Sequence, residues 1–179
     1  MTRQLTSVPR VSERRQLPFD PIAEAMRQWE SHGWAESASA MAIVTSVMRL
    51  QQVFLSQADR VLRPLGLTFA RYEVLMLLSF SQRGSLPLGK ISERLQVNAA
   101  SVTNAVDRLE GRGLVIRQAN PDDGRGTLAV LSESGRALAL AATDVMNAGV
   151  FSELGVDDDL LRSLFGPLSQ LRAAAGDYG

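Results

Sequence analysis

Ser101, Thr103, Asn104 and Arg108 fall close together, with Lys90 a little upstream, and all five carry groups that suit nucleic acid. An asparagine amide pairs a donor with an acceptor and so matches the adenine edge in a major groove. Serine and threonine hydroxyls adapt to bases or nearby phosphates, whereas Arg108 and Lys90 suit the phosphate backbone. A further cation, Arg125, lies in Asn120-Pro-Asp-Asp-Gly-Arg-Gly126, whose turn formers and glycines make a hairpin tip. An arginine there can enter a minor groove, where the negative potential is deepest. Asp123 would position that tip by pairing with an arginine or by capping the turn. Catalytic chemistry has little to work with. His32 is the single histidine, there is no cysteine, and no glycine-rich phosphate loop follows a strand. Disulfides, thiolate nucleophiles and cysteine-ligated zinc are excluded. Asp122–Asp123 reads as a turn and Asp157 to Asp159 as a helix start, so no enzyme, metal site or cofactor is expected.

The elements that must position these residues are legible in ISERLQVNAASVTNAVDRLEGRGLVIRQANPDDGRGTLAVLS, residues 91 to 132. Ile91, Leu95, Val97, Val102, Val106 and Leu109 recur as two short helices sharing a buried side would require, with a tight turn at Gln96–Val97. Asn98 is the N-cap of the second helix. Val102, Ala105, Val106 and Leu109 then point inward, while Ser101, Asn104 and Arg108 point outward with Ala100 and Asp107 beside them; Thr103 lies on the flank. Gly111 and Gly113 end that helix. Residues 114–117 and 127–131 are two strands of a wing. Arg117 reads equally as a groove contact or as a solvated or ion-paired strand residue, and Arg112 as a helix-end charge.

Around this motif, residues 1–17 form a basic, disordered tail and residues 18–66 hold N-terminal helices belonging to a dimerisation region. Residues 67–131 form the winged helix-turn-helix lobe, and residues 132–179 form C-terminal dimerisation helices. Asp20 caps a first helix with Pro21 at its start, and one long helix runs from Trp34 to Leu65. Thr68 caps the next helix, with Phe69, Tyr72, Leu75, Met76 and Leu78 inside. Ser85 to Leu88 is extended and suited to a third strand of the wing. Ser132 caps a helix to about Leu154, and a last one ends near Ala175. The flanking helices are more apolar than one small core requires, which points to a two-fold homodimer. The fold class is thus mainly α with a small β-hairpin wing.

Asp123-Gly-Arg125 followed by Leu131-Ser132, together with SVTNAVDRLEGRGLV before them, resembles the signature of the MarR family of bacterial transcription regulators. The likeness extends more loosely from about residue 36 to the end; Ser132 stands where the family more often has threonine, and both residues cap helices. The resemblance implies a homodimer that binds double-stranded DNA and represses its own or a neighbouring promoter. It also implies a response to a small aromatic or phenolic acid, for which Trp29, His32, Trp34, Arg71 and Tyr72 could supply an aromatic wall and a cation. A Trp-bearing N-terminal helix is a trait of the family's urate-responsive branch. Glu73 and Arg117 fall near two of that branch's ligand positions, but Ala105 replaces an arginine, which speaks against urate.

Charge is balanced, with 19 basic and 19 acidic side chains. The segment 85–131 has six basic and five acidic residues, so charge placement must carry DNA affinity, with a strong dependence on salt. No uninterrupted apolar run approaches the ~20 residues of a membrane span, and no signal-peptide layout is present. A cytoplasmic protein without membrane contact is expected. The competing reading is a helical dimerisation or scaffold protein that kept the fold and binds a protein partner. Arg125→Ala is predicted to weaken operator binding in fluorescence anisotropy while leaving the dimer intact; unchanged affinity would remove the minor-groove role.

Overall fold

The computed structural model describes residues 17–121 and 126–179. The chain divides into two compact units, one ending at Arg60 and the other beginning at Val61.

In the first unit, Asp20 Oδ1 accepts the Ile22 N–H at 2.9 Å and Pro21 opens helix α1, Pro21–Ser31. Proline fits there because the first helical N–H has no intrahelical partner. The chain turns at Gly33, whose φ of +85° favours glycine. Helix α2, Ala35–Leu62, then runs for 28 residues. Along it Ile43, Val44, Val47, Met48, Phe54 and Leu55 are exposed. Counting unbroken apolar runs underestimated this helix. One stretch within the helical span Ala35–Leu65 reaches a mean hydropathy of 1.3, enough by length and composition to cross a bilayer. Arg49, Gln51 and Gln52 break the run but not the average.

The second unit holds the wing and its supporting helices. A 3-10 turn at Arg63–Leu65 ends α2, and Gly66, with φ +68°, redirects the chain. Helix α3 is Phe69–Phe80 and buries Tyr72, Val74, Leu75 and Leu78, with Phe69 and Met76 only half-buried. Thr68 stands at its N-cap but does not cap it; its Oγ1 accepts from Arg71 Nε at 3.1 Å instead. Strand β1, Ser85–Pro87, leads into α4, Leu88–Leu95, and α5, Ala99–Glu110. Strands β2, Val115–Ala119, and β3, Thr127–Leu131, complete an antiparallel sheet in the order β1-β3-β2. Val115 pairs with Leu131 and Ser85 with Val130, so β3 is central and the extended segment before α4 does add the third strand.

Helix α6, Glu133–Gly149, ends earlier than about Leu154, because Val150 leaves helical geometry and Phe151–Glu153 forms a separate 3-10 turn. Helix α7, Asp158–Ala174, starts where Asp157 Oδ1 accepts the Leu160 N–H at 2.8 Å. It accommodates Pro167 within its length and has no buried residue, leaving Leu160, Leu164, Phe165, Leu168 and Leu171 exposed. The core of this unit is Leu62, Leu75, Leu78, Ile91, Val102, Val106, Leu109, Val115 and Met146.

The start of α6 is fastened to the root of the wing. Ser132 Oγ accepts the Gly135 N–H at 3.0 Å and donates to the Gly113 carbonyl at 2.8 Å, while the Ser132 N–H reaches the Leu114 carbonyl at 3.1 Å. Gly135 lies so close that a Cβ would stand 2.0 Å from the Leu114 oxygen. Gly135→Ala is therefore predicted to lower stability by about 1–3 kcal/mol, the usual cost of overpacking; an unchanged urea midpoint would contradict it. Burial raises the Glu73 carboxyl above its ordinary pKa. A raised folded pKa in an acid gives stability that is present at low pH and lost as pH rises through it. Glu73→Gln should accordingly gain in melting temperature over the parent as pH rises from about 4 to about 8, and a constant difference across that range would contradict the burial effect.

Candidate nucleic-acid interface

The turn between α4 and α5 depends on one residue in the left-handed region. Gln96, with φ +53°, is the single non-glycine residue of that kind among the described residues. Such a conformation is disfavoured for side chains with a Cβ, and local bonds offset it. The Gln96 side-chain amide donates to the Glu93 carbonyl at 3.1 Å. Ser92 Oγ donates to the Val97 carbonyl at 2.5 Å, and the Val97 N–H returns to the Ser92 carbonyl at 3.2 Å. Because the chain reverses here, Val97 emerges to solvent rather than joining the core as its spacing suggested. Asn98 then caps α5 as expected, its Oδ1 accepting the Ser101 N–H at 2.8 Å. Such a cap contributes roughly 1 kcal/mol.

Helix α5 packs on α3, α4 and β2 through Val102, Val106 and Leu109, all essentially inaccessible. Its other side carries Ser101, Thr103, Asn104 and Arg108, all exposed. Among the described residues none of these four side chains makes a hydrogen bond or ion pair, so their donors and acceptors are free for a ligand. Arg94 on α4 is likewise exposed and uncommitted among the described residues. The sequence reading overlooked it, although an arginine in the last turn of the first motif helix was a visible signal.

Lys90 stands near the start of α4, but its Nζ lies 2.7 Å from Glu93 Oε2. The hydrogen bond from Lys90, then its charge, holds the Glu93 carboxyl below the usual range. Both side chains are exposed, and exposed pairs contribute little, so a phosphate can replace Glu93 at small cost. An open hollow of about 340 Å³ lies here between the start of α4 and the tip-side ends of the wing strands, at Asn120, Gly126 and Thr127.

The wing arginines behave differently from one another. Arg112 donates through Nη1 to the Gly66 carbonyl at 2.8 Å and through Nη2 to the Leu65 carbonyl at 3.1 Å. It therefore ties the exit of α5 to the turn that ends α2, a more specific task than a helix-end charge. Arg117 is an ion-paired strand residue, yet its partners lie outside the wing. It reaches Asp107 and Glu110 on α5, the latter at 2.9 Å. The hydrogen bond to Asp107 leads the causes that raise its guanidinium pKa. Asp123 and Arg125 lie outside the described residues.

The five effector candidates fall in different units. Trp29, His32 and Trp34 cluster in the first, where the indoles meet edge to face at 5.5 Å between centroids. His32 stacks on Trp34 at 5.8 Å, and its Nδ1 is 2.7 Å from the Gln28 carbonyl, which makes Nδ1 the donor. In the second unit Arg71 donates to Thr68 Oγ1 and to the Gly66 carbonyl, while the Tyr72 hydroxyl lies 3.2 Å from Thr143 Oγ1. All five have partners within the chain. Among the described residues no group of histidines and carboxylates is placed to hold a metal ion.

The MarR family pattern matches residues 67–127, which span α3, both motif helices and the start of the wing. YhbI, an HTH-type transcriptional regulator of Bacillus subtilis, is 36% identical over 115 residues, covering 62% of this chain and 73% of YhbI. The structure of Sco5413, a MarR family transcriptional regulator from Streptomyces coelicolor, is 48% identical with a TM-score of 0.72, covering 78% of this chain and 97% of Sco5413. Two solved structures at 25% identity carry ligands. Sco3205, a MarR family regulator from the same organism, is in complex with DNA, with a TM-score of 0.65 and coverage of 77% and 88%. CouR from Rhodococcus jostii is bound to p-coumaroyl-CoA, with a TM-score of 0.64 and coverage of 72% and 90%. On the family pattern, the YhbI likeness and the Sco5413 likeness together, the chain belongs to the MarR family of transcriptional regulators.

Proposed function

We propose that this regulator is a cytoplasmic repressor that binds a pseudo-palindromic duplex operator as a homodimer and responds to a small aromatic or phenolic acid. The observation that carries operator reading is the outward side of α5. The side chains of Ser101, Thr103, Asn104 and Arg108 are all exposed and free of internal bonds among the described residues, at the place where helix-turn-helix proteins meet base edges. Asn104 is the adenine-reading residue, Ser101 and Thr103 meet bases or adjacent phosphates, and Arg108, Lys90 and Arg94 contact the backbone. Arg125 enters the minor groove, with Asp123 setting the wing tip.

Dimerisation rests on apolar surface left exposed among the described residues. Along α2 the exposed set includes Ile43, Val44, Val47, Met48, Phe54 and Leu55, and along α7 it includes Leu160, Leu164, Phe165, Leu168 and Leu171. Exposed apolar residues in this number along a helix mark an interaction site. A two-fold arrangement of such helices presents two recognition helices to half-sites about 34 Å apart. This surface also accounts for the high hydropathy of α2 without a membrane. The aromatic cluster of Trp29, His32 and Trp34 offers stacking surface to an aromatic effector, and CouR supplies the precedent of a phenolic ligand.

The test is fluorescence anisotropy of the purified protein on duplexes from its own upstream region, titrated at two salt concentrations. Saturable, salt-sensitive binding in preference to scrambled DNA supports the reading, and absence of preference at both salts points to a protein partner. Asn104→Ala is predicted to weaken binding to the cognate duplex by about 1–3 kcal/mol and to relax preference at one base pair. An equal loss on scrambled DNA would assign Asn104 to phosphate.

A further inference from the structure

Asp107 and Glu110 place two carboxylates on the recognition helix of a protein that must approach phosphates. They share with Thr103 one flank of α5, centred roughly a third of a turn from Ser101, Asn104 and Arg108, with Asp107 about 60° from Asn104. Their side chains are 54% and 40% exposed. Left alone, each would repel the duplex, since phosphate attraction dominates protein–DNA affinity.

Arg117 on β2 meets both. Its Nη1 is shared between Asp107 Oδ1 and Glu110 Oε2, its backbone N–H donates to Glu110 Oε1 at 3.2 Å, and its Nη2 points to the Thr103 carbonyl at 3.5 Å. The arginine side chain is only 25% exposed. A planar guanidinium can bridge two carboxylates and a carbonyl at once, which a lysine ammonium cannot match in geometry. We infer that Arg117 is a positioning residue, neutralising Asp107 and Glu110 on the wing-side flank of α5 and fixing β2 against that flank, so that it serves DNA binding without touching DNA. The inference rests on the operator reading above, and it separates two arginines of the same wing. Arg125 would act on the duplex, and Arg117 acts on the protein that presents it.

A double-mutant cycle distinguishes this role from a direct phosphate contact. Arg117→Gln is compared in the parent and in an Asp107→Asn/Glu110→Gln background, by anisotropy on the upstream duplex and by thermal melting. In the parent, Arg117→Gln should weaken binding about tenfold, and in the neutralised background by less than about threefold, as for residues coupled in one ion-pair network. The same fold loss in both backgrounds overturns the inference, because the guanidinium would then be acting on phosphate. If Arg117→Gln folds poorly, Arg117→Lys takes its place: it keeps the charge and loses the fork, so a smaller loss is expected in the parent that again shrinks in the neutralised background, and an equal loss in both overturns the inference. Melting shifts should be non-additive in the same sense. Additive shifts overturn the inference even without DNA, whereas failure of the parent to bind any duplex sinks the operator reading alone.

Discussion

Everything functional in the second unit depends on the apolar seam that seats α5. Val102, Val106 and Leu109 are buried on a helix that packs against α3, α4 and β2, elements whose own buried residues include Leu75, Leu78, Ile91 and Val115. Burying a side chain of this size contributes on the order of 1.5–3 kcal/mol, so the seam outweighs any single polar contact nearby. It fixes the rotation of α5 about its axis. Once that rotation is set, the helical period alone decides that Ser101, Asn104 and Arg108 face outward together. A polar side chain that finds no internal partner is an asset here, because it keeps its full hydrogen-bonding capacity for the ligand.

Polar contacts then refine what the seam establishes. Asn98 starts α5 at a defined residue, and Gln96 allows the turn before it to be tight. Arg112 carries the exit of α5 back to the carbonyls of Leu65 and Gly66, and Ser132 fastens α6 to Gly113. These bonds join backbone segments that the core does not cover. Through them the end of the long helix α2, the recognition helix and the wing root form one connected body within the second unit. Arg112 is thus the side chain that couples the turn after α2 to the exit of α5.

The zero net charge of the chain is less awkward once the charges are placed. Lys90 and Arg117 are paired with acids and Arg112 with carbonyls. Arg94 and Arg108 stay open on the motif helices. Some of the acids that balance the total serve as internal partners. Glu93 holds a cation near the surface, and Asp107 with Glu110 holds one against the helix. Among the described residues the motif helices thus combine open cations with paired ones, and it is placement rather than total charge that differs between them.

Wherever a local rule suffices, the sequence was decisive. Helical and strand periods located the two motif helices and the wing, and Asp20, Asn98, Ser132 and Asp157 marked helix starts through side-chain caps that depend only on near neighbours. The MarR-type lobe was legible for the same reason, since its spacing is fixed by short elements in a set order. Tertiary structure decided what depended on distant partners or on an unusual backbone. Thr68 proved to bond Arg71 rather than cap α3, and Val97 came to the surface because Gln96 adopted a left-handed turn. Arg117 and Arg112 acquired their partners across intervals of 7 to 47 residues. No period or cap rule reaches that far, because such contacts exist only after the core has brought α2, α5 and the wing together.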